Sequence, residues 1–205
     1  MYSFIYLASK SPRRQELLKQ IAIPFKLLEQ DTDEQPLTNE KAQAFVNRLA
    51  NDKALNSYQI LHKKQLELAP VLGSDTIVVI ENNGNEKILG KPANKNNAME
   101  MLRLLSGQTH QVLTAICLTD GKKTVSSISS STVSFKKLST IEMNNYWQTG
   151  EPVDKAGAYA IQGKAASFIT NISGSYSGIM GLPLYELSSL LQQFELSFSL
   201  PINNQ

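Results

Sequence analysis

The segment that most constrains the fold is Pro70 to Ile80, with the sequence PVLGSDTIVVI. Its continuous apolar and β-branched residues are typical of a strand that is buried on both faces. Asp75 interrupts this strand, and a carboxylate removed from water without a partner either costs several kcal/mol or takes up a proton. The sequence therefore predicts that a hydrogen-bond network, a basic side chain or a cation compensates Asp75, and it leaves these three alternatives open.

Strands and helices alternate along the rest of the chain. Short strand patterns occur at 3–7 and 24–28, and the segments 112–118 and 124–135 flank an Asp120–Gly121 turn as an antiparallel hairpin. Helical spacing is predicted from Pro12, from Thr38 or Asn39 to about Asn56, from Asn94, from Ser139 and from Pro183, and a further strand at 165–172 precedes a glycine-rich loop. The pattern predicts an α/β fold with a mixed twisted sheet and flanking helices.

Composition narrows the class of protein. The 205 residues are 41% hydrophobic and predict a single domain over residues 1–200, with a frayed tail at 201–205. A formal net charge of +2 argues against a nucleic-acid or membrane partner. The one cysteine, Cys117, lies in an apolar strand pattern as a core thiol, and the basic pair near the N-terminus follows its apolar stretch, the reverse of a secretory signal. We therefore expect a cytoplasmic protein.

Several polar side chains resist a purely structural interpretation. Arg13 and Arg14 begin a helix, where the dipole disfavours cations, so they indicate a nearby anion. Pairing with Glu16 or with the acidic loop at 29–36 is the alternative. Lys53 follows Leu49 by four residues on the inward face of its helix, where it either snorkels to the rim or reaches into a site.

Together with residues near other strand ends and helix starts, these side chains form a set of cations, carboxylates and polar groups. The remaining members are Ser9, Glu34, Asp75, Lys91 and Gln162. Carboxylates that hold magnesium or manganese, beside cations that neutralise phosphate oxygens, are typical of a site for a polyphosphate. No GxxxxGK[ST] or strand-following GxGxxG sequence occurs, so we do not expect a P-loop.

Six blocks of sequence resemble the Maf family and occur in the family's order. They are LASKSPRRQELL (7–18), GSDTIVV (73–79), GKP (90–92), LSGQTHQVLTA (105–115), GEPVDKAGAYAIQG (150–163) and GSYSGIMGLPL (174–184). The resemblance implies an α/β fold related to the inosine-triphosphate pyrophosphatases, with two lobes and the active site in the cleft between them. It also implies hydrolysis of nucleoside triphosphates to the monophosphate and pyrophosphate, with a divalent metal, magnesium or manganese.

The resemblance further implies residue roles. Asp75 matches the catalytic acid/base and a metal ligand, and Glu34 matches the metal partner. The phosphate-binding positions are matched by Ser9, Arg13, Lys53 and Lys91, with Arg14 added beside them, and the specificity positions of the dTTP/UTP branch by Arg13, Thr76 and Gln162. Lys10 replaces a commonly small residue and Gly90 stands where an acidic residue is frequent, but neither change removes a reacting group.

We therefore expect an enzyme that hydrolyses dTTP and UTP by attack of water on the α-phosphorus, an activity that would clear non-standard pyrimidine nucleotides. The alternative from a different class is a nucleotide-sensing binding module in the control of cell division or shape. The expected partner is the nucleoside triphosphate, with no nucleic acid and no membrane. A homodimer is compatible with the sequence, which does not determine the oligomeric state.

Overall fold

The computed structural model describes residues 1–28, 33–82 and 84–198. Its strands are β1 Ile5–Ala8, β2 Phe25–Leu27, β3 Val71–Asn82, β4 Asn85–Leu89, β5 Thr109–Thr119, β6 Thr124–Phe135 and β7 Ile169–Ser173. The α-helices are α1 Pro12–Gln20, α2 Ala42–Lys63, α3 Lys95–Leu105, α4 Thr140–Gln148, α5 Tyr176–Met180 and α6 Leu184–Leu191. Two 3-10 helices span Ala156–Ala158 and Lys164–Phe168. No helix in these ranges is both long and apolar enough to cross a bilayer.

The strands form a mixed sheet with the order β2-β1-β3-β5-β6-β7, and β4 pairs with β3 outside this path. β1 pairs in parallel with β2 and with β3, so that Tyr6 lies opposite both Lys26 and Val71. Parallel neighbours need a crossover, which α1 and α2 provide. The pairs β3–β4 and β6–β7 are antiparallel. The predicted α/β fold with a mixed sheet and flanking helices is confirmed.

The described chain divides into two compact units. The first contains residues 1–75, 114–129 and those from Gly181 onward, and the second contains residues 76–113 and 130–180. A core cluster in the first unit joins β1, α2 and β3 through Tyr6, Leu61 and Val71. The larger cluster of the second unit includes Leu102 and Phe135. Burial of one side chain of this size stabilises a fold by about 2 kcal/mol. Each unit is therefore stabilised by a hydrophobic cluster of its own.

The predicted limits of the second helix are wrong. Residues before Ala42 form a turn in which the Glu40 N–H donates to the Leu37 carbonyl, and Asn39 has φ +59°, a value that a helix does not allow. α2 begins after Lys41 and continues to Lys63, because Leu61 extends its buried face beyond the predicted end. The sequence allows either a loop or a helical extension for residues 57–69, and this segment is helical as far as Lys63.

The predicted strand at 165–172 is wrong in its first half. Residues Lys164–Phe168 form a 3-10 helix, and β7 begins only at Ile169. The carboxylate of Glu151 accepts hydrogen bonds from the N–H groups of Lys164 and Ala165, which are then unavailable for a strand ladder. The glycine-rich loop that was predicted next contains the short helix α5. The predicted frayed tail at 201–205 lies outside the described residues.

Candidate active site

The site begins where β3 passes α2. A Cβ atom built on Gly73 would overlap the carbonyl oxygen of Ala50 and come within 2.6 Å of the Ala54 nitrogen. Only glycine allows two backbones to approach this closely. Lys53 immediately precedes Ala54, and Asp75 lies two residues after Gly73, so this contact brings the two charged side chains together.

Lys53 joins two carboxylates. Its Nζ donates to Oδ1 of Asp75 at 2.6 Å and to Oε1 of Glu34 at 2.6 Å. The side chains of Asp75 and Lys53 are only 10% and 13% exposed, whereas that of Glu34 is 44% exposed. Of the three alternatives for compensating Asp75, the structure shows the basic side chain. Lys53 reaches into this cluster and does not snorkel to the surface.

Arg14 organises the end of β1. Its Nη1 donates to Oγ of the buried Ser9 at 3.0 Å, and its Nε donates to the carbonyl oxygen of Gly181 at 2.8 Å. Burial lowers the pKa of Arg14, and the neighbouring charge of Arg13 lowers it too, while the charges of Asp75 and Glu34 act in the opposite direction. Arg14 therefore holds Ser9 in place and lies within the electrostatic reach of both carboxylates.

Sequence reasoning missed Ser74 and Gly181. Ser74 is fully buried, and its Oγ donates to the same Gly181 carbonyl at 2.9 Å that Arg14 contacts. The available signal was a second polar residue directly before Asp75 in an otherwise apolar strand. The contact with Gly181 lies 107 residues away along the chain, and no local pattern indicates it.

The structure thus brings together Ser9, Arg14, Glu34, Lys53 and Asp75 within the first unit, with Arg13 beside Arg14. The other predicted site residues belong to the second unit. Thr76 directly follows Asp75 in β3 and is half-buried, while Lys91 and Gln162 are exposed. Within that unit, the Gly157 N–H donates to the Gly90 carbonyl at 3.0 Å. This bond ties the segment before Gln162 to the residue before Lys91.

The described residues contain no group of three or more histidine, cysteine, aspartate or glutamate side chains placed to hold a metal. They do place carboxylate oxygens of Asp75 and Glu34 within 2.6 Å of one ammonium nitrogen. Magnesium is commonly held by one or two carboxylates together with substrate phosphates and water. The pair therefore fits a divalent metal that binds with a polyphosphate better than a metal held by protein groups alone.

A known protein family matches the part of the chain that contains these site residues. The sequence profile of a family described as Maf-like protein matches residues 4–194. The chain belongs to the Maf family. The match begins before Ser9 and extends past Gln162, so every predicted site residue of this Maf-family chain lies inside it.

Named relatives are similar over nearly their full length. The chain is 46% identical over 195 residues to a dTTP/UTP pyrophosphatase of Alkalilimnicola ehrlichii, covering 95% of this chain and 94% of that protein. It is 48% identical over 194 residues to a dTTP/UTP pyrophosphatase of Pseudoalteromonas translucida, covering 95% and 98%. It is also 48% identical over 201 residues to one of Nitrosomonas europaea, covering 94% and 95%.

A solved structure shares the fold at low sequence identity. The Staphylococcus aureus Ham1 protein superposes with a TM-score of 0.51 at 13% identity, covering 93% of this chain and 99% of that chain. At this identity the likeness shows the architecture alone.

Proposed function

We propose that this Maf-family chain hydrolyses nucleoside triphosphates to the nucleoside monophosphate and pyrophosphate, with dTTP and UTP preferred. The observation that carries the proposal is the nearly buried Asp75 carboxylate, held by Lys53 beside a second carboxylate from Glu34. Relatives at 46% and 48% identity are named dTTP/UTP pyrophosphatases, which supports both the reaction and the preference.

In the proposed reaction, Asp75 acts as the general base. One of its oxygens accepts the Lys53 hydrogen bond, which fixes the orientation of the carboxylate. The carboxylate takes a proton from water as the water oxygen bonds to the α-phosphorus and the bond to the pyrophosphate oxygen breaks. A divalent metal, magnesium or manganese, held by Asp75 and Glu34 would neutralise charge on the phosphates.

The cations of the site bind the phosphates in this scheme. Arg13 lies in the first turn of α1, and Arg14 orients the Ser9 hydroxyl, so that both arginines and the end of β1 serve one anion. Lys53 and Lys91 supply further positive charge. Developing negative charge on the leaving pyrophosphate is thereby stabilised by fixed groups.

Gln162 reads the base in the same proposal. Its amide has both a donor and an acceptor, which matches the O4 and N3 edge shared by thymine and uracil. Its side chain is exposed and accessible to a ligand. Thr76 and Arg13 complete the predicted specificity set.

The setting that we propose is the cytoplasm, with a small-molecule substrate and no nucleic acid. Burial raises the pKa of the Cys117 thiol to about 12, so this cysteine is an inert core residue suited to a reducing compartment. The net charge of +2 is too small to indicate a nucleic-acid partner. A homodimer and a cleft between two lobes stay predictions.

The test is pyrophosphate release by the purified protein with manganese or magnesium and a panel of dTTP, UTP, CTP, GTP and 7-methyl-GTP. We expect dTTP and UTP to be hydrolysed fastest, and Asp75→Asn to lower kcat at least about a hundredfold through loss of the general base. Asp120→Asn is the matched control, because Asp120 caps the β5–β6 turn outside the cluster. Near-normal turnover in a folded Asp75→Asn protein would refute the assignment. Binding of UTP without hydrolysis by the unaltered protein would instead favour the nucleotide sensor.

A further inference from the structure

A carboxylate outside the reacting cluster holds the segment that contains Gln162. Glu151 lies shortly after α4, in the same unit as Gln162. Its Oε2 accepts from the N–H of Lys164 at 2.8 Å, and its Oε1 accepts from the N–H of Ala165 at 3.3 Å. The carboxylate therefore fixes the backbone on the C-terminal side of Gln162.

Tyr146 fixes the backbone on the other side. Its buried hydroxyl donates to Oε1 of Glu151 at 2.7 Å and accepts from the N–H of Ala160 at 3.1 Å. The Gly163 N–H also donates to the Ala160 carbonyl at 3.1 Å, which closes a tight turn around Gln162. Glu151 and Tyr146 thus form one hydrogen-bonded frame with an attachment point on each side of this residue.

Packing leaves this frame little freedom. A Cβ atom on Gly163 would overlap the Glu151 carboxylate, so the carboxylate lies directly against the backbone next to Gln162. Ile161 and Ala165 are buried, at 4% and 0% exposure, whereas the Gln162 side chain between them is exposed. The backbone is held on both sides while a single amide side chain points out of it.

The chemistry of the frame suits positioning. The three donors that bind Glu151 are two backbone N–H groups and a phenol, all of them neutral. A carboxylate suits this arrangement because each of its two oxygens can accept more than one hydrogen bond. A glutamine at this position has one oxygen and would turn an N–H₂ group toward one of the donors.

We propose that Glu151 and Tyr146 are positioning residues that orient Gln162 for reading the nucleotide base. The inference rests on the proposed function, because it concerns how the same enzyme discriminates between nucleotides. Neither residue contacts the base or the phosphates in this scheme. Both act through the backbone of residues 160–165.

The experiment compares kcat/KM for UTP with kcat/KM for GTP in Glu151→Gln and Tyr146→Phe. Both variants nearly preserve side-chain volume. We expect the UTP-to-GTP ratio to fall at least about fivefold, as follows from losing about one net hydrogen bond that orients the amide. The kcat for UTP should change much less, because Asp75 and Lys53 are untouched.

Two further variants separate positioning from a general structural role. Glu142→Gln is the matched control, since Glu142 also accepts hydrogen bonds from a backbone N–H and a hydroxyl, both of Ser139 in the capping box of α4. It should alter stability without altering the UTP-to-GTP ratio. In a Gln162→Ala background, Glu151→Gln should have no further effect on the ratio, because the amide it orients is gone.

The outcomes are distinguishable. If the unaltered protein releases pyrophosphate from UTP but Glu151→Gln and Tyr146→Phe keep its UTP-to-GTP ratio, the inference is overturned and the proposed function stands. The inference is also overturned if the effect of Glu151→Gln is the same in the Gln162→Ala background. If the unaltered protein hydrolyses no triphosphate, the proposed function fails and the inference fails with it.

Discussion

Removal of Lys53 should destabilise the cluster strongly, because its ammonium group donates to the carboxylates of both Asp75 and Glu34. Lys53→Met keeps an unbranched apolar side chain of similar length and removes the ammonium group. Asp75, only 10% exposed in its side chain, then loses a hydrogen-bond donor at 2.6 Å. Glu34 is 44% exposed and is readily solvated instead.

The magnitude follows from this asymmetry. Breaking a buried ion pair by deleting one partner costs about 3–5 kcal/mol. We expect the lower end, about 3 kcal/mol, because the charge of Arg14 also acts on Asp75. Asp75→Asn should cost less, about 1–2 kcal/mol, since Lys53 keeps its bond to Glu34. The double variant should cost only about 1–2 kcal/mol, because no buried charge is left uncompensated.

Urea denaturation of the two single variants, the double variant and the unaltered protein measures this cycle. The coupling free energy between Lys53 and Asp75, which is the sum of the two single losses minus the loss in the double variant, should be about 3 kcal/mol. The Tm of Lys53→Met should be about 6–12 °C lower than that of the unaltered protein, because a loss of 1 kcal/mol lowers the Tm by about 2–4 °C for a chain of this size. A double variant whose loss equals the sum of the single losses would refute the reasoning, as would a Lys53→Met protein of unaltered stability.

Gly73→Ala should lower the free energy of unfolding by about 3 kcal/mol in thermal denaturation, because its Cβ would overlap the backbone of α2. Gly90→Ala is the matched control and should cost under about 0.5 kcal/mol, since no atom lies within 4 Å of its added carbon; equal losses in both would contradict the close approach. Burial lowers the pKa of His110 to about 4, so between pH 6.5 and 4 the unfolded state binds a proton that the folded state does not. Stability should therefore fall by about 3 kcal/mol as the pH falls through this window, and His110→Gln should flatten that slope in urea titrations at several pH values. An unchanged slope would assign the titration to another group.

Much of the fold was predictable because its signals are local. The alternation of strand and helix patterns predicted the mixed α/β class, and the structure confirms it. Ser139 and Glu142 have the local spacing of a capping box, and both of its hydrogen bonds are present at the start of α4. The ordered blocks of sequence predicted the Maf family, and the match over residues 4–194 confirms it.

The errors occurred where a distant contact overrides a local pattern. Residues 165–168 were predicted as the first half of a strand, but the Glu151 carboxylate binds the N–H groups of Lys164 and Ala165, and a 3-10 helix forms there. The end of α2 depends on how far its apolar face packs against the rest of the first unit, and Leu61 is still part of that unit's hydrophobic core. The local sequence pattern indicates neither the contact with Glu151 nor the packing of Leu61.

The same division holds for Asp75. A charge in an apolar strand is a property of the local sequence, and it was enough to predict that something compensates the carboxylate. Which group does so depends on Gly73, whose missing side chain lets α2 approach β3 and places Lys53 at 2.6 Å from Asp75 across 22 residues of chain. The order of residue types in a strand is enough to infer that a carboxylate is buried and that its burial costs free energy. The side chain that compensates the carboxylate is determined by the packing of segments that are remote in sequence.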